Sequence, residues 1–84
     1  MAGETEHEAQ LKQLEHLKAM GEKAYDEMYE AHSQSDINAC YRDAKDYFDD
    51  AIALARRLGR VEEAAALGER LAHIKAVYRS QFAG

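Results

Sequence analysis

Proline and tryptophan are both absent from this sequence of 84 residues, and cysteine occurs once. The lack of proline excludes the collagen-like and proline-rich classes. A single cysteine excludes a disulfide scaffold and any zinc site built from several cysteines. No apolar run approaches the ~18 residues of a membrane-spanning helix. The first residues are acidic with no apolar segment behind them, so we expect a cytoplasmic protein that does not enter membranes.

Large apolar side chains are also scarce. Hydrophobic residues make up 46% of the chain, but sixteen of them are alanine, whereas Leu, Ile, Val and Phe together number only 14. The formal net charge of −5 is too modest to favour disorder. The composition therefore predicts a small, alanine-rich core whose elements approach one another closely.

Helix-breaking residues divide the chain into three segments with helical periodicity. The breaks lie at 33–36 and 59–60, and no stretch alternates with the period of a strand. Residues 1–10 carry no apolar stripe and are predicted to be a flexible N-terminal arm, and 11–84 to be a single domain. The predicted helices span about 5–32, 36–58 and 61–82, and Ser35 or Asp36 is predicted to cap the start of the second helix. The absence of strand alternation predicts an all-α fold. Because the 59–60 connection is so short, the second and third helices are expected to be antiparallel. We therefore predict a small antiparallel three-helix bundle made of a helical hairpin plus one helix.

The second helix is predicted to be central, because its apolar face is wider than one neighbour requires. One apolar flank carries Tyr41, Phe48, Ile52 and Ala55. The other carries Cys40, Tyr47, Leu54 and Leu58. Gly21 and Gly68 lie within the apolar stripes of the first and third helices, where each costs about 1 kcal/mol relative to alanine. Such a cost predicts a close backbone approach at both glycines.

The spacing of small residues resembles the tetratricopeptide repeat. The first helix has Leu17-x2-Met20-Gly21-x2-Ala24, the second Ala44-x3-Phe48, and the third Ala64-x2-Leu67-Gly68-x2-Leu71. The resemblance covers residues 17–71 and implies one helical hairpin plus the first helix of a second. The distance from Gly21 to Gly68 exceeds one repeat of ~34 residues, and the closing proline of the motif is absent.

No group of side chains forms a recognisable catalytic or metal-binding pattern. Cys40 lies in an apolar stripe and is expected to be an inert buried thiol, and the four histidines fall on different helices or faces. The sequence therefore predicts neither an enzyme, nor a metal site, nor a cofactor.

The leading functional hypothesis is a small helical module for protein–protein interaction, with a partner that the sequence does not identify. If the first and third helices lie side by side, they line a shallow concave face. The predicted partner-binding residues on it are Lys18, Glu22, Tyr25, Asp26, Glu69, Ala72 and His73. A homodimer is also expected, because the long first helix would overhang the bundle and expose Leu11 and Leu14.

The alternative hypothesis is a nucleic-acid-associated regulator. Arg56, Arg57 and Arg60 form a basic corner around Gly59. Residues 1–52 hold 13 acidic and 5 basic side chains, however, and this balance is unfavourable for a phosphate backbone. Nucleic acid is therefore the second interpretation.

Overall fold

The computed structural model describes residues 2–83, with side chains from Glu6 onward. It consists of three α-helices: α1 (Ala2–Glu30), α2 (Gln34–Arg57) and α3 (Val61–Val77). A π-helical turn, Tyr78–Phe82, continues α3. There is no strand within the part of the chain that the structure describes. The predicted all-α three-helix bundle is confirmed.

The start of α2 is capped differently from the prediction. Ser33 has an extended backbone, and its side-chain oxygen accepts a hydrogen bond from the backbone N–H of Asp36 at 3.1 Å. This bond satisfies one of the free amides of the first turn. The sequence favoured Ser35 or Asp36 as the cap; this was wrong, because the helix begins at Gln34 and both residues lie inside its first turn.

The turn between α2 and α3 matches its sequence pattern. Gly59 adopts a positive φ of 75°, a backbone conformation that residues other than glycine rarely adopt. The N–H of Arg60 donates to the carbonyl of Ala55 at 2.8 Å, and the N–H of Gly59 donates to that of Arg56 at 3.0 Å. These two bonds form a Schellman motif, which satisfies the last carbonyls of α2. The chain reverses here, so α3 returns antiparallel to α2.

Helix α1 runs parallel to α3. Near the start of α3, Lys18 pairs with Glu63, and near the other end Tyr29 contacts Phe82. Contacts between the two helices therefore advance in the same direction along both chains. Helix α2 packs against α1 and α3 with a face made largely of alanine. The core consists of Leu14, Tyr25, Met28, Phe48, Ala51, Leu54, Ala55, Ala64, Leu67, Leu71 and Ile74.

The two glycines of the apolar stripes have different surroundings. A Cβ placed on Gly21 would lie 2.7 Å from Cε2 and 2.9 Å from Cδ2 of Phe48, so the glycine admits the phenyl ring against the backbone of α1. A Cβ on Gly68 would have nothing within 4 Å. The predicted close approach is confirmed at Gly21, where the neighbour is a side chain, and is wrong at Gly68.

The first turns of α1 extend beyond the rest of the bundle. The structure measures 51 × 20 × 13 Å along its principal axes, and residues 6–10 are exposed. Leu14 is only 1% exposed and Leu11 is half-buried, so the expectation that the overhang exposes both leucines is wrong. Leu14 belongs to the core because the overhang ends before it. The predicted flexible arm, residues 1–10, forms helix from Ala2 on, and its mobility stays a prediction; Met1 lies outside the described residues.

Candidate functional site

Lys18, a predicted partner-binding residue, is held by two carboxylates. Its Nζ lies 2.8 Å from Oε2 of Glu15 on the same helix and 2.6 Å from Oε2 of Glu63 on α3. Hydrogen bonds to Glu15 and Glu63 raise the pKa of Lys18 above its usual value. The bonds from Lys18 and from Arg60 lower the pKa of Glu63. The lysine therefore links α1 to the first turn of α3.

Glu22 and Arg70 form the second link between α1 and α3. The guanidinium donates from Nε to Oε2 at 2.8 Å and from Nη2 to Oε1 at 2.7 Å, a bidentate geometry. Their side chains remain 43% and 38% exposed, which limits the pair to about 0–1 kcal/mol. The hydrogen bonds to Glu22 raise the pKa of Arg70 further. The carboxylate of Glu22 is thus already occupied within the chain.

Tyr25 is more deeply buried than the sequence indicated, at 7% exposed. The guanidinium of Arg70 lies 5.0 Å from the centre of its ring, and its hydroxyl is 3.0 Å from the hydroxyl of Tyr29. Burial, helped by the hydrogen bond to Tyr29, raises the pKa of Tyr25 to about 12. Its ring is therefore part of the core.

Of the remaining predicted residues, Asp26 borders this group, because its charge helps to raise the pKa of Arg70, whereas the three on α3 lie apart from it. Asp26, Glu69, Ala72 and His73 are all exposed, and the three α3 residues lie on the side of that helix opposite its buried leucines. The structure brings Lys18, Glu22 and Tyr25 together with Glu63 and Arg70. We call this the bridged face. The sequence offered opposite charges for these pairs but no signal that fixed which ones meet across the helices.

The basic corner is partly neutralised. Arg56, Arg57 and Arg60 are exposed, and Arg60 donates from Nε to Oε1 of Glu63 at 2.5 Å. Glu63 also receives Lys18, so the corner joins the ion pairs at the start of α3. Arg56 and Arg57 are therefore the exposed charges of the basic corner that lie outside this group of ion pairs.

Aromatic side chains gather where α1 ends, α2 begins and the π-turn lies. We call this region the aromatic end. Tyr29 is 51% exposed, and its ring meets that of Phe82 edge-on at 5.0 Å and that of Tyr25 at 5.4 Å. Beside them Tyr41 and Tyr78 are stacked with centroids 3.8 Å apart. Five of the seven aromatic residues are therefore here.

Polar contacts hold the stacked pair of the aromatic end. The hydroxyl of Tyr78 donates to Oδ1 of Asn38 at 2.6 Å, and Nζ of Lys45 lies 4.7 Å from the centre of the Tyr41 ring. Sequence reasoning did not identify this cluster. A signal was present, because aromatic residues close to the three helix ends meet once α1 and α3 run parallel and α2 antiparallel.

Cys40 is half-buried on α2. Burial raises the pKa of its thiol, and nearby Glu27, Asp43 and Asp36 raise it further, so the reactive thiolate is disfavoured. Within residues 2–83 no group of three or more His, Cys, Asp or Glu side chains is placed to hold a metal ion.

Comparison with protein-family models, with curated proteins and with solved structures finds no match. The resemblance to the tetratricopeptide repeat therefore stays a prediction. In the described part of the chain, no helix is long and apolar enough to cross a membrane.

Proposed function

We propose that this chain is a small helical interaction module that binds a protein partner through the aromatic end. The observation that carries the proposal is the exposure of Tyr29, 51%, within an ordered group of aromatic rings. Tyrosine is enriched among the residues that contribute most to binding at protein interfaces. Tyr29 combines a half-exposed apolar ring with a hydroxyl at the end of the bundle.

The aromatic end is arranged before any partner arrives. The hydroxyl of Tyr29 contacts that of Tyr25, and its ring rests against Phe82, which limits its rotation. A side chain that is already fixed loses less conformational entropy on binding. Tyr29 is therefore suited to act as a preorganised anchor, in the role that the sequence assigned to Tyr25.

The proposal includes a cytoplasmic location, no catalytic site and no cofactor. The bridged face contributes stability to the module, because its charged groups are paired within the chain. Glu69 and His73 are exposed on another part of the surface, and Asp26 is exposed at the edge of the bridged face. The nucleic-acid alternative rests on Arg56, Arg57 and Arg60, and pairing of Arg60 with Glu63 weakens it.

The test is affinity capture from the native cell with the full chain as bait, quantified for the wild type and four variants. We expect a protein that the wild type captures and Tyr29→Ala loses, with Asp26→Ala and Arg57→Glu retaining it. Tyr29→Phe separates the ring from the hydroxyl. Circular dichroism and thermal unfolding establish that each variant is folded.

Two outcomes contradict the proposal. Capture that persists with folded Tyr29→Ala removes the aromatic end as the binding surface. Capture of nucleic acid that Arg57→Glu abolishes, and that falls steeply as salt rises, supports the alternative, because phosphate contacts release counterions.

A further inference from the structure

Helix α3 carries apolar side chains among charged ones on the side that faces solvent, as well as on its buried side. Val61 is 71% exposed at its start. Further along, four alanines are also exposed: Ala65, Ala66, Ala72 and Ala76. Apolar residues on two sides of a helix are typical of helices that contact protein on both of those sides. The structure covers only the side of α3 that carries Leu67, Leu71 and Ile74.

The outward side has a regular spacing and a charge order. Residues at 62, 65, 69, 72, 76 and 79 follow one another at alternating intervals of three and four, the spacing that two packed helices share. They are Glu62, Ala65, Glu69, Ala72, Ala76 and Arg79, all exposed. We call this series the outer face of α3. Its first half is acidic, and its far end is basic.

We propose that the outer face of α3 binds a second copy of this chain, with the two α3 helices antiparallel about a two-fold axis. In this arrangement Glu62 faces Arg79 of the second copy, and Ala65 faces Ala76 of the second copy. The symmetry repeats both contacts in reverse. Every position of the series then has its counterpart within the same series.

The order of charges selects this orientation. A parallel pair would place Glu62 beside Glu62 of the second copy and Arg79 beside Arg79 of the second copy. Like charges in contact are unfavourable. The antiparallel pair matches both charges. Glu69, near the axis, faces Ala72 of the second copy and lies diagonally across from His73, whose side chain is also exposed. Three residues of the predicted binding set, Glu69, Ala72 and His73, thus lie on or beside the dimer surface.

The alanines set the distance between the helices. Small side chains allow helix axes to approach to about 8 Å, where backbone and Cβ atoms are in van der Waals contact. An interface of one helix from each copy is smaller than that of a standard stable complex. The dimer is therefore expected to form at high micromolar concentration. It does not rest on the proposed function, because Tyr29 is not among the residues of this face.

Sedimentation velocity from about 10 μM to about 1 mM tests the proposal, a range that brackets weak association. We expect a sedimentation coefficient that rises with concentration toward that of a dimer. Glu62→Arg and Arg79→Glu should each weaken association by about tenfold or more, since each places like charges together. The two substitutions combined restore the pairing with swapped signs. Glu8→Arg and Arg57→Glu make the same charge changes elsewhere and leave association unchanged.

Cysteine crosslinking tests the orientation, on a background in which Cys40→Ala removes the native thiol. A mixture of the Ala65→Cys and Ala76→Cys variants should form a disulfide-linked dimer on oxidation, because facing alanine positions lie within disulfide reach. Ala65→Cys alone should not. Positions 65 and 76 are exposed, and Cys40→Ala replaces a half-buried side chain with a smaller one, so the variants are expected to keep the fold.

A single monomer species up to about 1 mM overturns the proposal, because that range covers the weak affinity of a small interface. Association that ignores both charge reversals, or is not restored when they are combined, also overturns it. Ready crosslinking of Ala65→Cys with itself indicates a parallel pair and contradicts the antiparallel arrangement.

Discussion

Helix α1 meets α2 by close packing and α3 by long polar side chains. At Gly21 the ring of Phe48 reaches the backbone of α1, and no side chain with a Cβ fits in that space. Toward α3, by contrast, Lys18 and Glu22 extend to carboxylate and guanidinium groups that remain partly in water. The difference indicates that the α1–α2 interface provides most of the stability, while the bridged face fixes the position of α3.

The same contrast bears on function. A groove lined by free charges can bind a partner, but the charges of the bridged face already bind each other. At the aromatic end, by contrast, about half of Tyr29 stays exposed to solvent in addition to its contacts with Tyr25 and Phe82. We therefore propose that a partner binds at the aromatic end and not at the face between α1 and α3.

The largest expected effect is that of Phe48→Ala. Removing a ring that is 1% exposed and fills the space beside Gly21 should lower the free energy of unfolding by about 3–5 kcal/mol. Chemical denaturation measures it. Tyr47→Ala, at a half-buried position on the same helix, is the control and should cost clearly less. Equal losses would show that the ring is not the centre of the α1–α2 interface.

Gly21→Ala should come next. The new methyl would lie under 3 Å from two atoms of the Phe48 ring. That ring is fully enclosed, so it cannot move aside without disturbing the core. Overpacking of this kind costs about 1–3 kcal/mol, of which the better helix propensity of alanine returns up to ~1.

Gly68→Ala is the matched control for Gly21→Ala. Nothing lies within 4 Å of the new methyl, so only the propensity gain remains, and the free energy of unfolding should rise by about 0.5–1 kcal/mol. The two substitutions therefore shift the midpoint of denaturation in opposite directions. Shifts of the same sign would contradict the asymmetry between the two helices.

A smaller effect is expected for Arg70→Gln on the bridged face. Both partners of the Glu22–Arg70 pair are partly exposed, so the loss should not exceed about 1 kcal/mol. It should shrink as salt screens the charges. A double-mutant cycle with Glu22→Gln isolates the coupling between the two residues. A coupling of several kcal/mol would mean that the bridged face, and not the core, holds α1 to α3.

The smallest change at neutral pH is expected for the ionisation of Tyr25. Its pKa is about 12 in the folded state against about 10 for a free tyrosine, so the folded chain binds this proton more tightly. The stabilisation is complete below pH ~10 and is lost as pH rises toward 12. Titration of tyrosinate absorbance should show a late component that Tyr25→Phe removes. Loss of an early component near pH 10 on Tyr25→Phe, with the late component retained, would contradict the burial of this ring.

The fold was largely predictable, because each signal was local. The helix period marks α2 as the central element, and Gly59 marks the turn, since the left-handed conformation there depends on one residue. The open surroundings of Gly68 were not predictable. The sequence shows that each glycine occupies a costly position within a helix. It does not show whether another side chain packs against that position.

The site was less predictable, because it depends on how the helices are registered. The pairing of Glu22 with Arg70 requires the relative shift of α1 and α3, which periodicity along each helix does not give. The position of Phe82 depends on the π-turn, whose wider spacing departs from the helical period used to read the sequence. The sequence therefore predicts Tyr25 as a partner-binding residue but not Tyr29, which lies one turn later on the same helix.

Site-specific photocrosslinking in the native cell tests whether the partner binds at the aromatic end or between α1 and α3. A photoreactive residue is placed at position 29, in the aromatic end, or at position 26, an exposed neighbour on the same helix that belongs to the predicted groove. The account predicts a defined crosslinked protein from position 29 and none of comparable yield from position 26. A product from position 26 with none from position 29 would show that the partner binds between α1 and α3, and it would contradict the assignment to the aromatic end.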